Sequence, residues 1–266
     1  MSRIAAAFAQ LKKDGRKGFI PFIVAGDPDL ATTSELIVEL SNGGATAIEL
    51  GIPFSDPMAD GPIIQRASER ALRHRFGIDE ILEVVSQARR ITNAPIVLFS
   101  YFNPLLQFGV ERLAVEAARV GVDGVLVTDL APEESANFAS ALRVEALDLI
   151  FLVAPTSTSD RLQMIAERAS GFIYAVSRAG VTGTRDEVSV EAERLVARMR
   201  EVSDLPVAVG FGISNAQQVA DVWRYADAAV VGSAIVAEIE RLGVAPDLAS
   251  SVGEFARKLL PERQIA

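Results

Sequence analysis

Eight short runs rich in apolar and β-branched residues recur along this chain, separated by stretches with helical periodicity. The runs are Gly18–Val24, Thr46–Leu50, Pro95–Tyr101, Gly124–Thr128, Leu147–Val153, Gly171–Val176, Pro206–Gly210 and Ala228–Val231. Between them, Leu30–Leu40, Ile78–Arg90, Val110–Val120, Arg161–Ala169, Val190–Val202 and Ala216–Trp223 repeat apolar residues at the spacing of one helix face. Strands that alternate with helices require βαβ crossovers, and therefore a parallel sheet. Eight such units in 266 residues predict an α/β fold closed into a (β/α)8 TIM barrel. A doubly wound open sheet is the rival. It usually carries a glycine-rich turn after its first strand, whereas this chain runs into Ala25-Gly26-Asp27-Pro28. The stripe Ile4, Phe8 and Leu11 within Ser2–Leu11 predicts an extra N-terminal helix, and Glu254–Leu260 reads as a closing helix. No linker or low-complexity stretch divides the sequence, so residues 1–266 are expected to form a single barrel domain.

A parallel sheet buries both of its faces, and this makes one residue conspicuous. Glu49 lies in the apolar run Thr46-Ala47-Ile48-Glu49-Leu50. Side chains alternate along a strand, so Ile48 and Leu50 share one face while Glu49 shares the other with Ala47. A carboxyl placed there is expensive unless it is neutralised or partnered, and its pKa is expected to rise. The strand leads into the long loop Gly51–Gly61, which ends at Asp60. Asp60-Gly61-Pro62 reads as a helix cap followed by an early-turn proline, or as a second acid at the same barrel mouth. On an exposed loop Asp60 is expected to stay ionised. Two carboxyls in unlike environments are suitable equipment for proton transfer.

What is scarce narrows the chemistry further. The sole histidine, His74, sits in the polar stretch Arg73-His74-Arg75, so a Ser-His-Asp triad or a multi-histidine zinc site is not expected. The lysines, Lys12, Lys13, Lys17 and Lys258, lie near the chain ends, away from every internal strand end that could carry a Schiff base. The absence of cysteine removes thiolate chemistry and fits a reducing compartment. A net charge of -9 argues against a nucleic-acid or anionic-membrane surface. The first residues lack a signal-peptide pattern and no apolar run is long enough for a membrane span, so a soluble cytoplasmic protein is expected.

Glycines mark a second constellation. The seventh strand runs into Gly210-Phe211-Gly212-Ile213-Ser214 and the eighth into Gly232-Ser233-Ala234-Ile235. Loops after the seventh and eighth strands of a barrel commonly bind phosphate through backbone amides, a hydroxyl and a helix N-terminus. Gly180-Val181-Thr182-Gly183, in the second long loop Ser177–Glu187, could extend that cradle or act as a hinge. Phe22, Tyr101, Tyr174 and Phe211 lie in or near strand ends, either as core or as walls for a flat aromatic ligand. Asp129 and Arg178 follow the fourth and sixth strands, where loop architecture is the simpler assignment.

These motifs carry a resemblance. The run from Ile48 through Gly51-Ile52-Pro53-Phe54-Ser55-Asp56-Pro57-Met58-Ala59-Asp60-Gly61-Pro62 resembles the signature of the tryptophan synthase alpha subunit family. Pro21-Phe22-Ile23-Val24-Ala25-Gly26-Asp27-Pro28, Ser177-Arg178-Ala179-Gly180-Val181-Thr182-Gly183, Gly210–Ser214 and Gly232–Val236 are similar to that family's other motifs, in order. The likeness covers essentially the whole chain. Departures are Met58 where leucine is usual, Thr128 and Ala131 beside Asp129 where prolines are common, and Ala179. None touches the acids or the phosphate glycines; those around Asp129 lie where the family meets its partner.

The resemblance implies retro-aldol cleavage of indole-3-glycerol phosphate to indole and glyceraldehyde 3-phosphate. It implies that Glu49 handles the proton at indole carbon 3 and that Asp60 balances the indole N–H. Phe22, Tyr101, Tyr174, Thr182, Gly183, Gly210, Phe211, Gly212, Gly232 and Ser233 are the candidate substrate-binding residues. No cofactor and no metal are expected on this chain. The implied partner is a pyridoxal-phosphate-dependent beta subunit in an alpha2beta2 assembly. A stand-alone lyase, a phosphosugar isomerase barrel and a catalytically idle scaffold for a beta subunit remain as alternatives.

Overall fold

The structure, a computed structural model, describes residues 1–176, 185–210 and 212–261, with backbone alone for 185–189. Its strands are β1 (Gly18–Val24), β2 (Ile48–Gly51), β3 (Ile96–Ser100), β4 (Gly124–Val127), β5 (Asp148–Val153), β6 (Ile173–Val176), β7 (Val207–Gly210) and β8 (Ala228–Val231). All pair in parallel, each with its sequence neighbours, and β1 pairs with β8 to close the barrel. The eight expected strands are therefore all present, within two residues of the expected bounds.

The helices are α1 (Arg3–Lys13), α2 (Leu30–Asn42), α3 (Pro62–Leu72), α4 (Ile78–Arg89), α5 (Phe102–Phe108) and α6 (Val110–Val120). Then follow α7 (Ala136–Val144), α8 (Ser159–Arg168), α9 (Arg185–Arg200), α10 (Ala216–Trp223), α11 (Ser233–Leu242) and α12 (Leu248–Lys258). Several begin where a side chain can cap them. Asp29 accepts from the Thr32 N–H at 2.7 Å, Thr158 from Arg161 and Asn215 from Gln218. The stretches read from periodicity do not include α3, α5, α7 and α11. α12 begins at Leu248 rather than Glu254, because Ser250, Ser251 and Gly253 obscure its pattern. Gly253 is there for packing: a Cβ would lie 3.1 Å from the Glu39 backbone oxygen of α2.

Alternation along the strands builds two cores from one sheet. Outward residues such as Phe19, Ile23, Ile48, Leu50, Leu98, Val125 and Ile173 pack beneath the helices. Inward residues, among them Ile20, Ala47, Val97, Leu126, Ile150, Phe172, Tyr174, Ala208 and Val230, fill the barrel. The N-terminal helix expected from Ser2–Leu11 closes the floor. Ile4 and Phe8 of α1 join the inner core, and Phe8 meets Phe172 with ring centroids 5.8 Å apart. Polar contacts pin the plug at its rim: the Ser2 hydroxyl donates to Asp148 at 2.6 Å, and Arg3 pairs with Asp123 at 2.8 Å. With the floor sealed, the open end of the barrel is the end where the strands' carboxyl termini lie.

Phe172 touches the plug and stands below the open end, fully buried. Replacing it with alanine is expected to cost about 3–5 kcal/mol in urea unfolding, the usual range for a buried phenylalanine that leaves a cavity. A loss below about 1 kcal/mol would mean that α1 collapses onto the gap and that the floor is not close-packed.

Candidate active site

Glu49 stands in β2 in register with Phe22 of β1 and Val97 of β3. Its side chain is buried, and neither carboxylate oxygen has a hydrogen-bond partner among the described residues. An ionised carboxyl in that position would forfeit its hydration with nothing in exchange. Burial accordingly pushes its pKa from 4.5 up to about 8, so that it holds a proton at neutral pH. The rise expected from alternation alone is present, and it comes from burial.

Asp60 arrives from the loop after β2. The capping expectation fails: Gly61 is the N-cap of α3 and makes no side-chain cap bond. Pro62 takes the first helical position, which moves the cap one residue past Asp60. The Asp60 backbone is held from both sides, its N–H donating to the Pro57 carbonyl and its own carbonyl accepting from Gln65 at 2.9 Å. Its carboxyl is half-buried, and it stays ionised at neutral pH as expected, though with a narrower margin than a solvated loop acid. Burial raises its pKa to about 6, partly opposed by a hydrogen bond from Tyr101. At pH 7 Asp60 is largely ionised while Glu49 is largely protonated.

Both acids line one cavity of about 120 Å³ at the open end of the barrel. Phe22, Phe99 and Tyr174 wall it; Ile64 comes from α3, and Gly212, Gly232 and Ser233 from the last two strand ends. Phe22 and Phe99 meet edge to face at 5.1 Å. Gly51 makes that placement possible, since a Cβ there would lie 2.6 Å from the Phe22 ring. A slot between aromatic edges with a protonated acid at its side suits a flat π-system that is to be protonated.

The side of the cavity at the last two strand ends is built from absence of side chain. Gly232 is the N-cap of α11, and a Cβ on it would meet nothing closer than Phe22 at 3.5 Å. Packing among the described residues therefore does not demand glycine; an approaching ligand would. Gly212 has φ +78, a left-handed conformation that glycine adopts without strain. As at any helix start, the first amides of α11 lack intrahelical acceptors and carry the positive end of its dipole.

Not every expected residue reaches the cavity. Tyr101 is buried beside it and acts at one remove: its hydroxyl accepts from the Ala59 N–H at 2.8 Å, and its ring packs on Phe54 at 5.3 Å. Gly210 is not part of the wall either; a Cβ there would fall on the Tyr174 hydroxyl, so its role is to admit that ring. Burial and the neighbouring Glu49 raise the Tyr174 pKa well above the usual phenol value. Thr182, Gly183, Phe211 and Arg178 lie outside the described residues. Asp129 does serve loop architecture, accepting from the Phe102 N–H at 2.6 Å. Phe99 was not among the expected site residues, although the register of β3 against Gly51 could have identified it. Among the described residues no group of histidine, aspartate and glutamate is disposed to hold a metal, and no helix is long and apolar enough to cross a membrane.

The folded state keeps the Glu49 proton up to about pH 8, whereas the unfolded chain releases it near 4.5. The cost of burying this side chain is therefore absent below the unfolded value and grows as pH rises, levelling off above about pH 8 at roughly 5 kcal/mol. Glu49→Gln is expected to unfold at the same urea concentration as wild type near pH 4.5, and at a clearly higher one at pH 8. A difference that stays flat across that window would mean that Glu49 titrates as a solvated acid.

Known proteins resemble this chain along nearly its full length. The family described as "Tryptophan synthase alpha chain" matches residues 8–259. The tryptophan synthase alpha chain of Geobacter sp. (strain M21) is 49% identical over 259 residues, 97% of either chain. That of Polynucleobacter necessarius is 51% identical over 241 residues, 90% of this chain and 91% of the relative. The crystal structure of tryptophan synthase subunit alpha from Legionella pneumophila str. Paris superposes with a TM-score of 0.90 at 35% identity, covering 97% of each chain. A buried acid at the mouth of a closed barrel, a glycine-lined cavity and this run of relatives lead to one assignment: the chain belongs to the tryptophan synthase alpha chain family.

Proposed function

We propose that Glu49 and Asp60 are the catalytic pair of a single barrel domain that cleaves indole-3-glycerol phosphate, with Glu49 as acid and then base. The family's reaction is the retro-aldol release of indole and glyceraldehyde 3-phosphate, a carbon–carbon lyase step in tryptophan biosynthesis. The observation that carries the residue assignment is the unpartnered, protonated Glu49 on the wall of the aromatic slot. In the first step the Glu49 proton passes to indole carbon 3, and the ring π-electrons form the new C–H bond. The resulting indoleninium N–H faces the Asp60 carboxylate, whose charge offsets it. In the second step the Glu49 carboxylate removes the proton from the hydroxyl on the carbon attached to the ring. A carbonyl forms there, the carbon–carbon bond breaks, and its electrons return to the ring nitrogen. Glu49 ends protonated, ready for another cycle.

Substrate binding divides along the same cavity. Phe22, Phe99, Ile64 and Tyr174 take the ring, and Gly212, Gly232 and Ser233 take the phosphate through amides and a hydroxyl. Tyr101 holds the acid loop. Thr182, Gly183 and Phe211 remain candidates for the phosphate and ring ends by the family resemblance, and Gly210 serves by seating Tyr174. A phosphate anchored away from the reacting carbons supplies orientation, which is the larger share of what an aldol cleavage needs beyond its proton transfers.

The family implies a beta partner, and an alpha2beta2 assembly in the cytoplasm is the form we propose. Pyridoxal phosphate belongs to that partner; the lyase step on this chain is assigned to its own carboxyls. Family membership favours the lyase over a phosphosugar isomerase, and the effect of a beta subunit separates a regulated subunit from a stand-alone enzyme.

Purified protein incubated with indole-3-glycerol phosphate is expected to release indole, faster with a beta subunit and serine present. Turnover should fall at pH below about 6, as Asp60 gains a proton, and above about 8, as Glu49 loses its own. Glu49→Gln should remain folded and lose activity by at least about 10²-fold. Indole release at a near-normal rate from that variant would overturn the role of Glu49. Gly232→Val tests the anion end. Its KM should rise by about tenfold or more, with a melting temperature within a few degrees of wild type, because a Cβ there makes only ordinary contact with Phe22 while the side chain occupies the phosphate's approach. An equal loss of folding would make the glycine structural.

A further inference from the structure

The two ends of the cavity stand on different helices. Asp60 and Gly61 lead directly into α3, while Gly232 and Ser233 open α11. Where these helices cross β1 the contact is apolar: Ala67 and Ala71 of α3 and Val236 of α11 pack with Phe22 and Val24, and Ile63 and Ile64 of α3 pack against them. Apolar burial is non-directional, so it fixes the slide and rotation of one helix against another less sharply than paired charges do.

Beyond that layer lies a charged one. Arg66 and Arg70 occupy successive turns of one face of α3. Arg66 grips Glu240 of α11 with two hydrogen bonds, at 2.8 and 2.7 Å. Arg70 donates to the same Glu240 at 2.7 Å, and with its other nitrogens to both oxygens of Asp27 at 2.8 Å. Asp27 is 1% exposed and sits in the loop just after β1, the strand that carries Phe22. One guanidinium thus joins three pieces of backbone, each of which supplies a wall of the cavity. Arg70 lies eight residues into α3 and Glu240 seven into α11, so the clamp sits roughly 10–12 Å along each helix from the site. Bidentate arginine–carboxylate pairs fix orientation as well as distance, which apolar packing here does not.

We propose that Arg70, through Asp27 and Glu240, is a positioning residue for the lyase reaction, holding the Asp60 helix in register with the helix that cradles the phosphate. The proposal rests on the reading of Asp60 as catalytic and of Gly232–Ser233 as the phosphate end. Severing the clamp should therefore separate acid from anchor and show itself in catalysis, over and above any loss of stability.

The direct variant, Arg70→Gln, leaves Asp27 buried and unpaired and could fail to fold. Glu240→Gln cuts the link between α3 and α11 while keeping Arg70 on Asp27, and it is the primary test. In holoenzyme assays well below the melting temperature, its kcat/KM for indole-3-glycerol phosphate is expected to fall by about tenfold, a typical coupling between contacting residues. Its Kd for glycerol phosphate, an unreactive analogue of the aldehyde product, should stay within about twofold of wild type, because the phosphate end itself is intact and only its placement relative to Asp60 changes. In an Asp60→Asn background the same change should cost less than about twofold, because the acid that needed positioning has gone. Arg89→Gln, which breaks a pair with Asp123 toward the sealed end, serves as the control: a lower melting temperature with unchanged kcat/KM. If Glu240→Gln behaves like Arg89→Gln, or costs the same with and without Asp60, the clamp is merely structural and the proposal falls. A wild-type protein that neither releases indole nor binds glycerol phosphate would overturn the parent reading, and this one with it.

Discussion

Closure of the sheet is the constraint from which the rest of this molecule follows. β1 pairs with β8 as fully as with β2, so the parallel sheet has no free edge, and each strand must turn one row of side chains inward. The interior is small and is filled by Ile20, Val97, Leu126, Ile150 and Phe172 up to the level of Tyr174. Because α1 stops the lower end with Ile4 and Phe8, the remaining space can open only where the strands terminate. Glu49 and Phe22, side by side in register near that opening, owe their position to this geometry.

The same geometry makes two identical functional groups behave differently. Glu49 is part of the closed sheet, where no described donor reaches it, and burial keeps its proton on at neutral pH. Asp60 hangs from a loop, with Tyr101 within hydrogen-bonding reach, and gives up its proton a little below neutral pH. A pH interval between about 6 and about 8 is left in which one acid is neutral and its neighbour charged. The proposed chemistry needs that pairing, and the difference arises wholly from where the backbone places each residue. Loops after β7 and β8 line the other side of the cavity, the proposed phosphate end, and withhold side chains at Gly212 and Gly232.

Much of this was legible beforehand, for reasons that can be named. The barrel was readable because burial on both faces leaves continuous apolar runs, and because strand and helix periods differ enough to be told apart. Glu49 was readable because a charged residue interrupts such a run at a position whose facing is set by alternation alone. Asp60 was harder. Its neighbours Gly61 and Pro62 make a plausible capping sequence, and the deciding fact, that Pro62 puts the cap at Gly61, depends on where the helix begins. Its raised pKa depends on burial by segments distant in sequence. Gly210 and Tyr101 were expected at the cavity because they lie at strand ends; on β3 the wall is instead Phe99, two residues before Tyr101, and Gly210 serves by leaving room for Tyr174.

By itself the sequence determined the kinds of element, their order, the parity of each strand and the stock of reactive groups, because these follow from local spacing and composition. Tertiary structure alone decided which groups meet. Phe99 reaches Phe22 only through the register of neighbouring strands. Arg70 finds both Asp27 and Glu240, 43 and 170 positions away, only because α3 and α11 pack side by side on β1. Contacts at such separations carry no local signal: the energy that selects them is burial and charge pairing between segments that closure of the barrel first brings together.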